Sequence, residues 1–188
     1  SFTWTPTYDD GGEYTLTVTV SDAEFEVSED ISITINQVNR TPVWGNIPAT
    51  ANVNENEELT FTVDASDPDG DDLSLAAASE DLPDGWNFTD NANGTGTFTW
   101  TPGFDDSGVY TLTLTVSDAE FNVAEDVTIS VNHVNRPPVW ENVPANAATD
   151  ENTELTFTVT TSDPDGDELT LQAASVNLPG GWSFTDNG

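Results

Sequence analysis

The chain has 188 residues, with 35 Asp and Glu against two Arg and no Lys, for a formal charge of −33. Such a charge repels nucleic acid and anionic membrane surfaces, and it suits a cation-rich medium through calcium binding, salt adaptation or both. Apolar residues make up 35% of the chain, with six Trp, enough to build packed cores and to exclude disorder from sheer lack of hydrophobes.

There is no Cys from which to read a redox compartment, no signal peptide, and no run of about twenty apolar residues that would span a bilayer. No Met is present either, so the numbering is expected to begin inside a longer polypeptide or after processing.

Taken in chain order, the elements repeat. Phe2-Thr3-Trp4-Thr5-Pro6 opens the chain and returns as Phe98-Thr99-Trp100-Thr101-Pro102. An acidic pair follows, Asp9-Asp10, with its copy at Asp105-Asp106. Tyr14-Thr15-Leu16-Thr17-Val18-Thr19-Val20 then alternates Thr with apolar residues, as a half-buried strand does, and is matched by Tyr110–Val116. Ser21-Asp22-Ala23-Glu24-Phe25 returns as Ser117–Phe121, and Pro42-Val43-Trp44 as Pro138–Trp140.

Leu59-Thr60-Phe61-Thr62-Val63 and Leu155-Thr156-Phe157-Thr158-Val159 are predicted strands of identical sequence. Between turn signals, Leu73-Ser74-Leu75-Ala76-Ala77-Ala78 reads as a strand despite its Ala content, and Phe98–Trp100 and Val127–Val131 complete the set. No stretch has a helical period.

Every offset is 96 residues, and residues 1–40 match 97–136 at 27 of 40 positions. Pro after Asn39-Arg40-Thr41 and after Asn135-Arg136 marks extended linkers. The expected division is the second half of a module (1–40), a whole module (41–136) and the first half of another (137–188). Six to eight short strands per period, separated by Gly, Pro, Asn and Asp, predict an all-β fold of tandem immunoglobulin-like sandwiches. Trp86 and Trp100 are expected to pack in the sandwich and Trp44 at the joint.

The chain equals two periods less a loop of four residues, the equivalent of Asn93-Gly94-Thr95-Gly96. Half a sandwich buries too little surface to fold alone. Each half is therefore expected to be completed by a neighbouring copy or by continuation of a polymer.

Three acidic segments recur with the period. Asp67-Pro68-Asp69-Gly70-Asp71-Asp72 and Asp163-Pro164-Asp165-Gly166-Asp167-Glu168 each place four acids within six positions. Alternate carboxylates on a Gly-containing turn supply several of the six to eight oxygens calcium needs, although Asp-Pro-Asp-Gly is also an ordinary turn. The other segments are Asp9-Asp10 with Asp105-Asp106, and Asn54–Glu58 with Asp150–Glu154.

With Glu55-Asn56, Ala65-Ser66-Asp67-Pro68-Asp69, the Asp-Asp-to-Tyr-Thr-Leu stretches and the Val-Asn-Arg linkers, the chain resembles the cadherin-like and immunoglobulin-like repeats of bacterial and archaeal surface proteins over its whole length. The resemblance implies a cell-surface or extracellular location and calcium between modules. It pairs Glu55 and Asp105 with Asp163 and Asp165 of the next module, and Asp9 with Asp67 and Asp69 at the preceding joint; Asp71 and Asp167 lie in the same loops. The linkers depart from the cadherin pattern, having Asn36-Gln37-Val38-Asn39-Arg40 and Asn132-His133-Val134-Asn135-Arg136 where cadherins carry acids. Arg40 and Arg136, the chain's only Lys or Arg residues, occupy one repeat position. Either Arg takes over part of the calcium charge by bridging carboxylates, or it is a solvated linker residue copied by duplication.

Acidic pairs also serve glycosidases, yet every acidic cluster here recurs with the period, whereas an active site normally occurs once. With no Cys, no Lys and one His (His133), the groups for nucleophilic or metal-water catalysis are nearly absent. Asn39, Asn87 and Asn93 fit the N-glycosylation pattern, although Asn93-Gly94 is also a hairpin turn. The expected role is a structural array, a filament or long surface stalk joined end to end with copies of itself. The alternative is an adhesin or accessory carbohydrate-binding module contacting a cell-surface or polysaccharide ligand, which predicts a Trp exposed on a flat face.

Overall fold

A computed structural model describes residues 1–188 as twelve strands and no helix, in two units, Ser1–Asn132 and His133–Gly188. Within the first unit, β1 (Gly12–Ser21) and β2 (Glu26–Ile35) form a hairpin that no other strand joins. The next eight strands build one complete sandwich. They are β3 (Val43–Asn46), β4 (Thr50–Asn54), β5 (Leu59–Ser66), β6 (Ser74–Ala78), β7 (Asn87–Asp90), β8 (Thr95–Trp100), β9 (Gly108–Ser117) and β10 (Asn122–Asn132). The second unit has only β11 (Val139–Asn142) paired with β12 (Thr160–Ser162).

The sandwich has two four-stranded sheets, ordered β3-β5-β8-β7 and β4-β10-β9-β6. All pairings are antiparallel except that of β4 with β10, which is parallel from Thr50↔Thr128 to Asn54↔Asn132. Alternation sends one face of each strand inward. In β9, Leu112, Leu114 and Val116 are 0% exposed while the Thr between them face out, and β10 buries Val127 and Ile129 as completely. Phe98 and Trp100 of β8 fill the middle, with Phe61 stacked on Phe98 at 5.0 Å. Gly96 is required there, because a Cβ would run into the Phe88 ring.

Trp86 is half-buried and stacks on Phe98 at 6.0 Å, whereas Trp44 packs against the core and donates its indole N–H to the Val123 carbonyl. At the start of β9, the Tyr110 hydroxyl donates to the Asp106 carbonyl at 2.8 Å, and Tyr14 repeats this bond to Asp10 at 2.9 Å. The β9–β10 turn closes on Asp118, whose Oδ1 accepts from the Glu120 and Phe121 N–H groups. Leu73–Ala78 is largely the strand its setting predicts, β6, because Thr113–Ser117 of β9 offers it a free edge.

One expectation is corrected. Leu59–Val63 is strand, but the identical Leu155–Val159 is not, and strand begins only at Thr160. In the complete module β5 pairs with β8 from Leu59↔Trp100 to Asp64↔Thr95, and in the second unit no strand occupies that side. Likewise Phe2–Thr5 is not strand, whereas Phe98–Trp100 is. A ladder needs a neighbour as well as a propensity.

Truncating Leu114 to Ala should cost about 2–5 kcal/mol, the usual range for a fully buried Leu. Val18→Ala at the equivalent position, which is 46% exposed, should stay within about 0.5 kcal/mol in dilute chain. Urea denaturation followed by Trp fluorescence reads both; equal losses would contradict the assignment of the core to β3–β10.

Candidate functional site

The linker between β2 and β3 carries Arg40 to the loop that follows β5. Asp67 organises that loop: its Oδ1 accepts from the N–H of Asp69 at 2.7 Å and of Asp71 at 3.4 Å, and its carbonyl accepts from Gly70 N–H. Gly70 takes φ +80°, where a side chain would be strained. The turn presents Asp69 to the linker, with its side chain only 2% exposed.

Arg40 engages both oxygens of that carboxylate. Its backbone N–H donates to Asp69 Oδ2 at 2.7 Å, while Nε and Nη2 converge on Oδ1 at 2.9 and 2.7 Å. Nη2 also donates to the Pro68 carbonyl at 2.7 Å and lies 3.4 Å from Asp9 Oδ1. The Tyr8 ring sits under the guanidinium, 5.3 Å away. Arg40 thus bridges Asp9, in the segment before β1, to the loop of the following module.

The same clasp stands in the second unit. Arg136 donates its backbone N–H to Asp165 Oδ2 at 2.5 Å, Nε to Oδ1 at 2.8 Å and Nη2 to the Pro164 carbonyl at 2.8 Å. Asp163 Oδ1 accepts from the N–H groups of Asp165 and Asp167, as Asp67 does in its loop.

The clasp sets the local electrostatics. Hydrogen bonds from Arg40 hold Asp69 below the usual carboxylate range, and Arg136 does the same to Asp165. Asp71 moves the other way, raised by burial and then by the charges of Asp67, Asp69, Asp118 and Asp72. Asp67, Asp69 and Asp71 bring one oxygen each within 4.8 Å of one another. Asp67 Oδ2 and Asn39 Oδ1 are buried acceptors with no donor. Asn39 donates its Nδ2 to Asp118 at 3.1 Å and lines a shallow depression together with Asp71.

Glu55 and Asp105 belong to the other end of the sandwich, since β5 separates the turn holding Glu55 from the loop holding Asp67. Glu55 is 2% exposed and accepts from Ser107 N–H at 3.0 Å; Asp105 is exposed. Of the glycosylation candidates, Asn87 and Asn93 are exposed and bonded locally to Thr89 and Thr95. The Asn39 amide nitrogen that a glycan would need is the one donating to Asp118.

Sequence reasoning missed Asn39 and Asp118 as parts of this cluster. The only signal for them was their recurrence at Asn135 and, for Asp118, at Asp22.

Among known proteins, the bacterial Ig domain family matches residues 39–132. No curated relative matches the chain. Similar solved structures include an endo-fucoidan hydrolase of glycoside hydrolase family 107, at 24% identity and a TM-score of 0.42, covering 69% of this chain. This chain spans only 20% of that hydrolase. A putative alpha-galactosidase from Bacteroides fragilis is similar at 18% identity and TM-score 0.39, over 53% of this chain and 19% of its own. The titin M3 domain is similar at 12% identity and TM-score 0.40, over 50% of this chain and 98% of its own.

Because Asp69 is held low, the stability it contributes is present above the unfolded carboxylate value of about 3.9 and is lost as pH falls through its folded value. Asp71 is held high, so it destabilises at neutral pH and that penalty is relieved on acidification toward the same value. In chelator, the melting temperature should therefore rise slightly toward about pH 4 and fall below it. Asp71→Asn should abolish the rise, and Asp69→Asn should lower the neutral melting temperature and flatten the fall. A profile unchanged by both substitutions would contradict the assignment.

Proposed function

The chain belongs to the bacterial Ig domain family, and from that premise we propose that it is a non-catalytic structural array of the cell surface or extracellular space. Its modules stack end to end in a filament or stalk, and the Arg clasp sets the geometry of the joints. The observation that carries this reading is the recurrence of one clasp, Arg40 on Asp69 and Arg136 on Asp165, at an interval of 96 residues. No helix is long and apolar enough to cross a membrane.

The chemistry of the clasp fits a strut. An Arg–carboxylate pair with the acid buried and the backbone N–H engaged fixes direction as well as distance. With its charge neutralised, Asp69 adds no repulsion where a linker must lie beside three other carboxylates.

Calcium has a place beside the clasp rather than in competition with it. Asp67 Oδ2 and the Asp71 carboxylate are the acceptors left for a cation, since Arg40 engages both oxygens of Asp69. A bound cation would supply the positive charge that Asp71 lacks.

The accessory carbohydrate-binding reading has less support in the complete module, where Trp100 is 2% exposed and Trp44 and Trp86 are half-buried against the core. The more exposed Trp4, Trp140 and Trp182 lie in the incomplete halves.

Arg40→Ala should broaden the distribution of distances in small-angle scattering of dilute chain, while Arg40→Lys should restore it only in part because Lys lacks the planar fork. An unchanged distribution would overturn the joint. Calcium at about a hundred times its dissociation constant should add about 2.7 kcal/mol to the module's stability. That amounts to a rise of roughly 10–20 °C in melting temperature for a domain of about this size. Asp71→Asn should remove most of that response; a melting temperature indifferent to chelator would remove calcium from the account.

A further inference from the structure

We propose that the linker at Arg40 is a masked cleavage site for an Arg-specific endopeptidase, and that the Arg clasp is the mask. The linker at Arg136 carries the same clasp but is refractory to such an enzyme. The proposal needs only the geometry of the clasp, so it goes beyond the array reading and does not depend on it.

Composition narrows the chemistry first. An endopeptidase with a carboxylate at the base of its specificity pocket cuts after Lys or Arg, and the chain offers it only Arg40 and Arg136. Arg40 is followed by Thr41, whereas Arg136 is followed by Pro137. A Pro on the leaving side has a tertiary amide nitrogen and a fixed φ, and serine endopeptidases of this class do not cut before it. Arg40–Thr41 is therefore the one bond of the chain that such an enzyme hydrolyses.

The backbone at that bond suits a protease. Residues 36–42 belong to no strand or turn, and Pro42 holds Thr41 extended. An endopeptidase takes its substrate as an added extended strand, so no secondary structure has to unravel first. Val38 and Thr41 are exposed, and within 36–42 only Pro42 is buried, so the segment to be freed is short.

What the enzyme has to seize is already held. Its pocket must enclose the Arg40 guanidinium and give it a carboxylate, and Asp69 supplies one within the fold, 2.9 and 2.7 Å from Nε and Nη2. The Arg40 N–H, a second handle for a docking enzyme, donates to Asp69 Oδ2 at 2.7 Å. Asn39 beside it is tied through Nδ2 to Asp118. Asp69 and the enzyme's pocket thus compete for one cation, and only the open clasp is cut. The rate then follows the open population, provided the clasp opens and closes faster than the enzyme cuts. The step is hydrolysis: water adds across the Arg40–Thr41 bond, leaving a carboxylate on Arg40 and an ammonium group on Thr41.

Trypsin acting on the 188-residue chain near neutral pH, with the products weighed by mass spectrometry, tests this. A synthetic peptide of residues 36–47 sets the unmasked rate. Wild-type chain should be cut far more slowly than the peptide, and only between Arg40 and Thr41. Asp69→Asn leaves the scissile bond untouched and should raise that rate roughly ten- to a hundredfold, the worth of hydrogen bonds to a charged group. Arg40→Lys should also be cut faster than wild type, because trypsin accepts Lys and the clasp loses its planar fork. Thr41→Pro should end cleavage, and Pro137→Thr should open a second site after Arg136.

Ile129→Val separates the clasp from the fold as a whole, since Ile129 is a buried core residue with no part in the clasp. It should leave the rate at Arg40 unchanged. Equal acceleration by Ile129→Val and Asp69→Asn means that cleavage waits on global unfolding, which overturns the mask. A wild-type chain cut as fast as the peptide overturns it too. So does an Asp69→Asn chain that keeps its melting transition and is cut no faster than wild type. The rigidity of the joint is tested separately, by the scattering of Arg40→Ala.

Discussion

The core of the complete module cannot be built from either side of its β7–β8 loop alone. β8 is the inner strand that ties β5 to β7, and β9 and β10 are the inner pair between β4 and β6. Phe98, Trp100, Leu112 and Leu114 reach 0–2% exposure through strands from both sides of that loop. Burial of this kind supplies most of the favourable free energy of a small domain, and half a sandwich forgoes most of it.

The joint is a second, smaller constraint, and it is electrostatic. A chain with 35 acids and two Arg concentrates its cationic charge at the two linkers. At Arg40 a single guanidinium neutralises a buried carboxylate, caps a carbonyl and approaches Asp9. The turn that offers Asp69 is itself held by Asp67, so the acids divide the work: Asp67 shapes the loop, Asp69 takes the Arg, and Asp71 is left with a raised affinity for protons. That division explains why four acids stand in six residues without all serving one ion.

Much of this was legible in the residues. The 96-residue period, the Thr-apolar alternation and the turn signals identify the all-β fold and most of its strands, because period two is set by the pleat itself. Arg40 and Arg136 stand out by being alone in their charge. The partner of Arg40 was harder to read, since Asp67, Asp69 and Asp71 are equivalent by composition and differ only in how the Gly70 turn aims them. The parallel pairing of β4 with β10 and the cluster joining Asn39 to Asp118 depend on residues 78 and 79 apart in the chain. The clearest failure of local reading is Leu155–Val159, whose sequence is that of a strand and whose surroundings lack one.

That pair of identical segments offers the most direct measurement. Leu59–Val63 and Leu155–Val159 have nearly the same intrinsic exchange rates, so hydrogen–deuterium exchange compares their surroundings alone, within one molecule. In dilute chain, the amides of Leu59–Val63 that bond to β8 should exchange slowly and those of Leu155–Val159 should exchange close to the unprotected rate. Equal protection of the two segments in dilute chain would contradict the claim that strand formation here waits on the complementary half.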